Sequence, residues 1–380
     1  MTTIVHVVVA GEVGGAERML VDLAGRGSRH RHSVALVTPS ERLRQLLREA
    51  GLDVDDRGHA QEGPLAYLSR TLGAPDTAWL AEVITRRRAD VVHLHTFASQ
   101  VVGTRAARKA GARVVRTEHS TRVYDDPTCW PFSRWSLARV DAVVSISEHV
   151  ARVALAKAPW IAGKLRVVPN GVDTAHFAPP ASLTPTATLA PVVRRGTPLR
   201  FVALGRLDPR KGLDTALDAL AQVPGATLDI VGDGAIRHAL EAQVARLGLG
   251  ERVRFVGFVD DVRAAIASAD VALSSARAEG LGIALLEAMA MERAVVALPT
   301  GGIPEIVSDG STGWLAHGHD AVALARVMRD AVERRDEVKR RGLQARKSVE
   351  AGFSIEAMRR GYDAVYEELA AIREDRRSAR

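Results

Sequence analysis

The chain has 380 residues, 47% hydrophobic and 26% charged, which is the composition of globular domains and a length for two to three of them. A single cysteine, Cys129, excludes an intramolecular disulfide and a cysteine-cluster metal site, and no apolar run reaches the roughly 18 residues of a spanning helix. The net charge of +7 suits anionic partners such as nucleotides, anionic lipid or nucleic acid, although an arginine-rich composition alone would also produce it. The start of the chain carries no basic segment ahead of its first apolar run, so no signal peptide is expected.

Ile4–Ala10 is a continuous apolar run, as in strands buried on both faces of a parallel sheet. A glycine turn at Gly11, Gly14 and Gly15 follows, with a helix expected over Met19–Ala24. Such a turn lets a phosphate approach backbone amides. It is not G-x-G-x-x-G, so the plain dinucleotide fingerprint is missing. Strands at 33–38, 89–95, 112–117, 141–147 and 164–169 alternate with helices at 41–50, 78–88, 101–110 and 148–156. Asp53-Val54-Asp55 is the one D-x-D; it is expected at a helix-to-strand junction, as surface rather than a metal site.

Residues 178–198 are rich in Pro, Thr and Ala and read as a linker between domains. The alternation then restarts. Strands at 199–204, 226–231, 253–257, 270–275 and 294–298 interleave with helices at 213–221, 236–247, 262–268 and 321–333. A basic stretch precedes a last helix from about Ile355. Two doubly wound α/β units in tandem result, with ligands expected beyond the carboxyl ends of the strands.

One stretch in the second half holds two carboxylates, Glu279 and Glu287, eight positions apart. Glu279 is expected in a loop at the mouth of the sheet, and Glu287 about two turns down a helix. The amides of Gly280-Leu281-Gly282-Ile283 at the helix start form a donor array for an anion or a polarised hydroxyl.

Taken in order, these loops resemble the GT-B glycosyltransferases, in particular the retaining group classified as family 4. The resemblance is carried by Gly14-Gly15-Ala16-Glu17-Arg18, His93-Leu94-His95, Thr117-Glu118-His119-Ser120 and Val168-Pro169-Asn170-Gly171-Val172-Asp173. In the second half it is carried by Gly205-Arg206-Leu207 with Lys211-Gly212, Val231-Gly232-Asp233-Gly234, the Glu279–Glu287 pair and Thr300-Gly301-Gly302-Ile303-Pro304-Glu305. It implies two Rossmann-like domains facing each other across a cleft: an acceptor-binding domain over 1–177 and a nucleotide-sugar domain over 199–352. A helix over 353–380 would pack back on the first.

The resemblance also implies roles. Arg206 and Lys211 would hold the donor diphosphate, with the Gly14 and Gly15 amides approaching it on closure. Glu279 and the 280–283 backbone would hold the donor sugar, Glu287 the ribose, and Gly232, Phe258 and Val259 the base. Glu279, His119, Arg206 and Lys211 form the expected catalytic set. The implied reaction moves a hexose or N-acetylhexosamine from a nucleotide sugar, UDP-linked as first expectation, to an acceptor hydroxyl with retention. It would use no metal and no cofactor beyond the co-substrate. Leu281 and Ser274-Ser275 depart from an aromatic and a Pro-Ser found in many relatives, which leaves the sugar open.

Tyr124, Trp130, Phe132 and Trp135 lie within twelve residues, interleaved with Arg122, Arg134 and Arg139. They make either a contact surface for acceptor or anionic membrane, or the packing of a long loop on the sheet. With His95 and His119 they form the expected acceptor region; the acceptor would be a glycan, a lipid-linked molecule or a small molecule. The expected location is cytoplasmic, with peripheral contact at the inner membrane face. Three rivals stand beside this reading. A nucleotide-sugar epimerase shares the fold. An NAD-dependent oxidoreductase is suggested by Val231-Gly232-Asp233-Gly234, which lacks the third glycine and has Arg254 about where an acid is wanted. A nucleic-acid binder rests on charge alone, without a zinc motif or RNA-binding signature, and no nucleic-acid partner is expected.

Overall fold

The structure, a computed structural model, describes residues 1–11, 14–25, 27–58, 68, 69, 71, 73–179 and 197–378, with side chains of the last helix as far as 371. Nearly all of the expected linker falls outside the described residues. The chain divides into two compact units, Met1–Asn170 with Ile355–Arg380, and Gly171–Ser354.

Unit 1 holds seven strands: β1 (Thr3–Val9), β2 (Arg31–Val37), β3 (Asp53–Asp56), β4 (Val91–Leu94), β5 (Arg113–Glu118), β6 (Ala142–Ser145) and β7 (Leu165–Val167). Their order is β3-β2-β1-β4-β5-β6-β7, every pairing parallel. Parallel pairing needs crossover helices on both faces, which is why β1 is apolar apart from Thr3 and His6. The last helix, Ile355–Ser378, belongs here. Its Met358, Tyr362, Val365, Tyr366 and Leu369 recur at helical spacing and pack with Ile4, Val91, Val115 and Val144. Burying each such side chain contributes about 1.5–3 kcal/mol, enough to bring the chain's end back onto its first sheet.

Unit 2 holds β8 (Leu199–Leu204), β9 (Ala226–Val231), β10 (Val253–Gly257), β11 (Val271–Ser274), β12 (Ala294–Ala297) and β13 (Gly313–Leu315). Their order is β10-β9-β8-β11-β12-β13, again parallel throughout. Leu199, Phe201, Leu217, Leu228, Ile230 and Val296 centre one continuous core.

Several local expectations change. The first helix starts at Gly15, not at Met19, which shortens the glycine turn. Asp53 and Asp55 begin the edge strand β3, directly after the helix Glu41–Glu49 and thus at the expected junction. Asp55 accepts from Arg86 and Arg87 at 2.6 and 2.7 Å, and Asp53 from Arg87 at 3.0 Å. The basic stretch is itself a helix, Arg335–Gly352, whose charges lie mostly on its exposed side. β13 had too few residues to stand out. The aromatic segment is not a loop but two short helices, Arg122–Asp125 and Trp130–Leu137. The second is tied to β5 by the buried Arg116, which pairs with Glu118 and donates to the Ser133 carbonyl and hydroxyl at 3.0 and 2.5 Å.

Candidate active site

In unit 2 the strand order sets the site. β10, β9, β8 and β11 are successive neighbours, so the loops at their carboxyl ends stand side by side. They carry, in that order, Phe258 and Val259, Gly232, Gly205-Arg206, and Glu279. Phe258 is an exposed ring and Arg206 an exposed guanidinium. The loops touch closely: a Cβ on Gly232, at φ +135°, would stand 2.0 Å from the Gly205 carbonyl oxygen.

Lys211 ends a short 3₁₀ turn, Pro209–Lys211, set by Asp208 accepting from the Arg210 amide. Its Nζ donates to Glu279 Oε2 at 2.7 Å, and both side chains are half-buried. The expected phosphate cation and sugar carboxylate thus form one pair. They border a pocket with Ser274, Ser275, Gly282 and Leu285. The Glu279 turn is clamped from behind. The Gly302 amide donates to the Glu279 carbonyl at 3.2 Å, and a Cβ on Gly301 (φ +62°) would lie 1.9 Å from that oxygen.

Gly282 is the left-handed N-cap of the helix Ile283–Ala290. The amides of Ile283 and Ala284 therefore point out of the helix start, beside Glu279. Leu281 is buried, so only its backbone can serve a ligand. Glu287 lies one turn into this helix, not two, because 279–282 is a turn and only residues from 283 rise helically. Its rise above the cap is about 7 Å by helix geometry, shorter than the expected 12 Å.

In unit 1, β1, β4 and β5 are neighbours, so the Gly14 turn, His95 and His119 share one edge. The Gly14 amide donates to Glu17 Oε2 at 2.9 Å, and Gly15 is already helical. In this conformation the Gly14 donor is taken, and by a carboxylate, so the expected pair of free glycine amides is not presented. Tyr124 is buried beside Glu118, and burial raises its phenol. Trp130 is half-buried and Arg134 exposed.

Sequence reasoning treated His93 and His95 as a bare pair and missed what surrounds them. His6 on β1 stands in register with His93 on β4. His6 Nδ1 bonds His95 Nε2 at 2.8 Å, and His6 Nε2 bonds His32 Nδ1 at 2.7 Å. His93 bonds the Tyr366 and Thr117 hydroxyls, each at 2.7 Å. Nitrogens of His6, His93 and His95 fall within 4.8 Å, a spacing that suits a metal, but hydrogen bonds engage both nitrogens of His6 and of His93. Burial first, then neighbouring imidazoles, holds His6, His93 and His95 well below the ordinary histidine range. Burial lowers His32 and His119 to about 4. All are neutral at pH 7. The signal available in the sequence was His6, the one polar residue inside the apolar run Ile4–Ala10.

The comparisons with known proteins agree with this layout. The family model described as glycosyl transferases group 1 matches residues 188–348, and that described as glycosyltransferase family 4 matches residues 13–176. A GDP-mannose-dependent monoacylated alpha-(1-6)-phosphatidylinositol monomannoside mannosyltransferase of Corynebacterium glutamicum is 30% identical over 304 residues, 73% of this chain and 78% of that protein. The chain belongs to the group 1, family 4 glycosyltransferases. A second relative is the 2-deoxystreptamine glucosyltransferase of Streptomyces kanamyceticus. It is 30% identical over 285 residues, 67% of this chain and 73% of that one. Among solved structures, HepE of Anabaena in complex with UDP and glucose superposes with a TM-score of 0.84. It covers 97% of this chain and 100% of that one at 24% identity, a likeness of fold. This glycosyltransferase is therefore a two-domain Rossmann-like α/β protein. Among its described residues no helix is long and apolar enough to cross a membrane.

Proposed function

We propose that unit 2 binds a nucleoside diphosphate hexose and that the chain transfers the hexose, with retention and without a metal, to a hydroxyl held by unit 1. The single observation carrying this is the Lys211–Glu279 pair at 2.7 Å, set beside the Ile283–Ala290 helix start and one loop from Arg206. A carboxylate and backbone donors suit sugar hydroxyls. Arg206, Lys211 and the helix start suit the two charges that build on the diphosphate as the glycosidic bond breaks. Phe258, two loops away, offers a ring for the base, and Glu287, one turn into the helix, the ribose contact. The leaving phosphate takes the acceptor's proton in this reading, a front-face displacement. Uracil is the first candidate base, from the neighbour crystallised with UDP and glucose; guanine is the second, from the relatives named as GDP-mannose-dependent.

The acceptor side includes a surface of Trp160 (45% exposed) with Arg134 stacked 5.4 Å from its ring and Trp130 at 6.5 Å. Rings with cations at an exposed edge suit an anionic membrane face, and relatives are named for phosphatidylinositol-linked substrates. The test is turnover of UDP-glucose, UDP-N-acetylglucosamine and GDP-mannose, first as slow hydrolysis, with chelator present. The reading expects one of them to be consumed and its products to keep the anomeric configuration. Consumption that stops with chelator, or inverted products, would contradict it.

A further inference from the structure

The histidines of unit 1 form a chain with a direction. Ser28 Oγ bonds His32 Nε2 at 2.7 Å, His32 Nδ1 bonds His6 Nε2 at 2.7 Å, and His6 Nδ1 bonds His95 Nε2 at 2.8 Å. A neutral imidazole donates from one nitrogen and accepts at the other. Only two polarities therefore satisfy all three links. In one, every ring carries its proton on Nε2, and the chain ends in donation to Ser28 Oγ, leaving a bare lone pair on His95 Nδ1. In the other, every proton sits on Nδ1, and His95 Nδ1–H is left without an acceptor.

That His95 nitrogen is buried, has no partner, and belongs to a residue only 5% exposed. The Nε2–H form is the intrinsically preferred tautomer of imidazole. Buried N–H groups without an acceptor are also rarer than under-used acceptors. Ser28 Oγ fits the receiving role, since it also accepts from the His30 amide at 3.3 Å. The His119 ring stacks 5.8 Å from His95, and its Nε2 is likewise buried without a partner.

We propose that His95 Nδ1 is a fixed hydrogen-bond acceptor for a neutral hydroxyl of a polyol ligand, locked in that tautomer by the His6–His32–Ser28 chain behind it. The inference rests on the reading that unit 1 binds the acceptor. A bare lone pair repels carboxylate and phosphate oxygens and welcomes O–H, so it selects the alcohol part of an acceptor. His6 and His32 touch no ligand in this account; they are positioning residues that deny His95 its other tautomer. No other paired chain of imidazoles offers such an end among the described residues.

The experiment is nitrogen-15 spectroscopy of the histidine side chains in the full-length chain near neutral pH, with myo-inositol and methyl α-glucoside as probes and inorganic phosphate as the anionic control. Expected are a protonated Nε2 and a bare Nδ1 on His95, with the Nδ1 signal moved by a polyol and not by phosphate. A protonated Nδ1 overturns the proposal, as does a signal moved by phosphate alone or by neither polyol. Once an acceptor is known, His32→Leu should raise its KM about tenfold while changing kcat about twofold or less, and His32→Gln, whose amide oxygen can accept from His6, should recover most of it. An equal fall in kcat for both variants would instead mark a structural role. Because the spectra need no nucleotide sugar, failure of the transfer reading and failure of the tautomer lock are told apart.

Discussion

The two units share a fold and differ in what they place at the carboxyl ends of their strands. Unit 2 places charge there: Arg206, the Lys211–Glu279 pair, and amides at a helix start. Unit 1 places neutral imidazoles there, His95 and His119, backed by His6, His32 and His93. The difference matches two chemistries. A diphosphate needs fixed charge, while an alcohol needs neutral, directional acceptors. The same parallel sheet can carry both arrangements because its pattern fixes the frame and leaves the loop ends free to vary.

The comparison is most easily broken with acid. An unfolded histidine gains its proton near pH 6.5, whereas His32 and His119 gain theirs only near 4, and burial holds the other three well below the ordinary range. Between those values the unfolded chain binds more protons. Stability from these groups is therefore complete above about pH 6.5 and falls as the pH drops. Each contributes a slope of about 1.4 kcal/mol per pH unit. Five together should open unit 1 well before pH 4, while unit 2, which holds no buried histidine among its described residues, keeps its amide protection. Hydrogen exchange resolved by segment would show it, and simultaneous loss from both units would contradict it.

Next in size is the charged pair. Glu279→Ala and Lys211→Ala should each lower turnover about 10²–10³-fold, as loss of one transition-state contact commonly does, with far-UV circular dichroism unchanged. Near-normal turnover in either variant removes that residue from the site. Gly301→Ala tests the clamp behind them. With φ at +62° and its Cβ aimed at the Glu279 carbonyl, the change should cost about 1–3 kcal/mol and weaken nucleotide-sugar binding in the same measurement series. A variant that melts and binds like the parent would show that Glu279 is held otherwise. The smallest effect belongs to the outer face of unit 1. Arg134→Ser should weaken binding to anionic vesicles by about 1 kcal/mol, roughly fivefold, and leave neutral vesicles unaffected; equal loss on both would argue for apolar contact alone.

Much of the frame was legible because it rests on periodicity. Leu199–Leu204, Leu213–Ala221, Ala226–Val231 and Ala321–Glu333 read from the residues alone match the observed elements. Glu279, Lys211 and Arg206 came as a set from the resemblance, and the structure brings Lys211 and Glu279 together at 2.7 Å. What failed was local or cooperative. β13 is three residues long, too short for a pattern. The start of the first helix was misplaced, because at Gly15 a glycine cap rather than an apolar rhythm sets the boundary. Counting the rise of Glu287 from Glu279 instead of from the Gly282 cap lengthened its apparent depth from about 7 to about 12 Å. The Gly14 amide looked available because Glu17, three residues on at the third helical position, was not read as the carboxylate that folds back on the N-cap amide. The histidine chain was invisible for a different reason. Its members lie on β1, β2 and after β4, and only strand order and register bring them together.

The account turns on whether unit 2 is a nucleoside-diphosphate-sugar site built on Glu279. The direct measurement is hydrolysis of a panel of UDP- and GDP-sugars by the unmodified chain and by Glu279→Gln, with no acceptor added. The account predicts slow release of one nucleoside diphosphate by the parent and a fall of about 10²-fold in the variant. Hydrolysis that survives the substitution, or stabilisation by NAD with none by any nucleoside diphosphate, would contradict it.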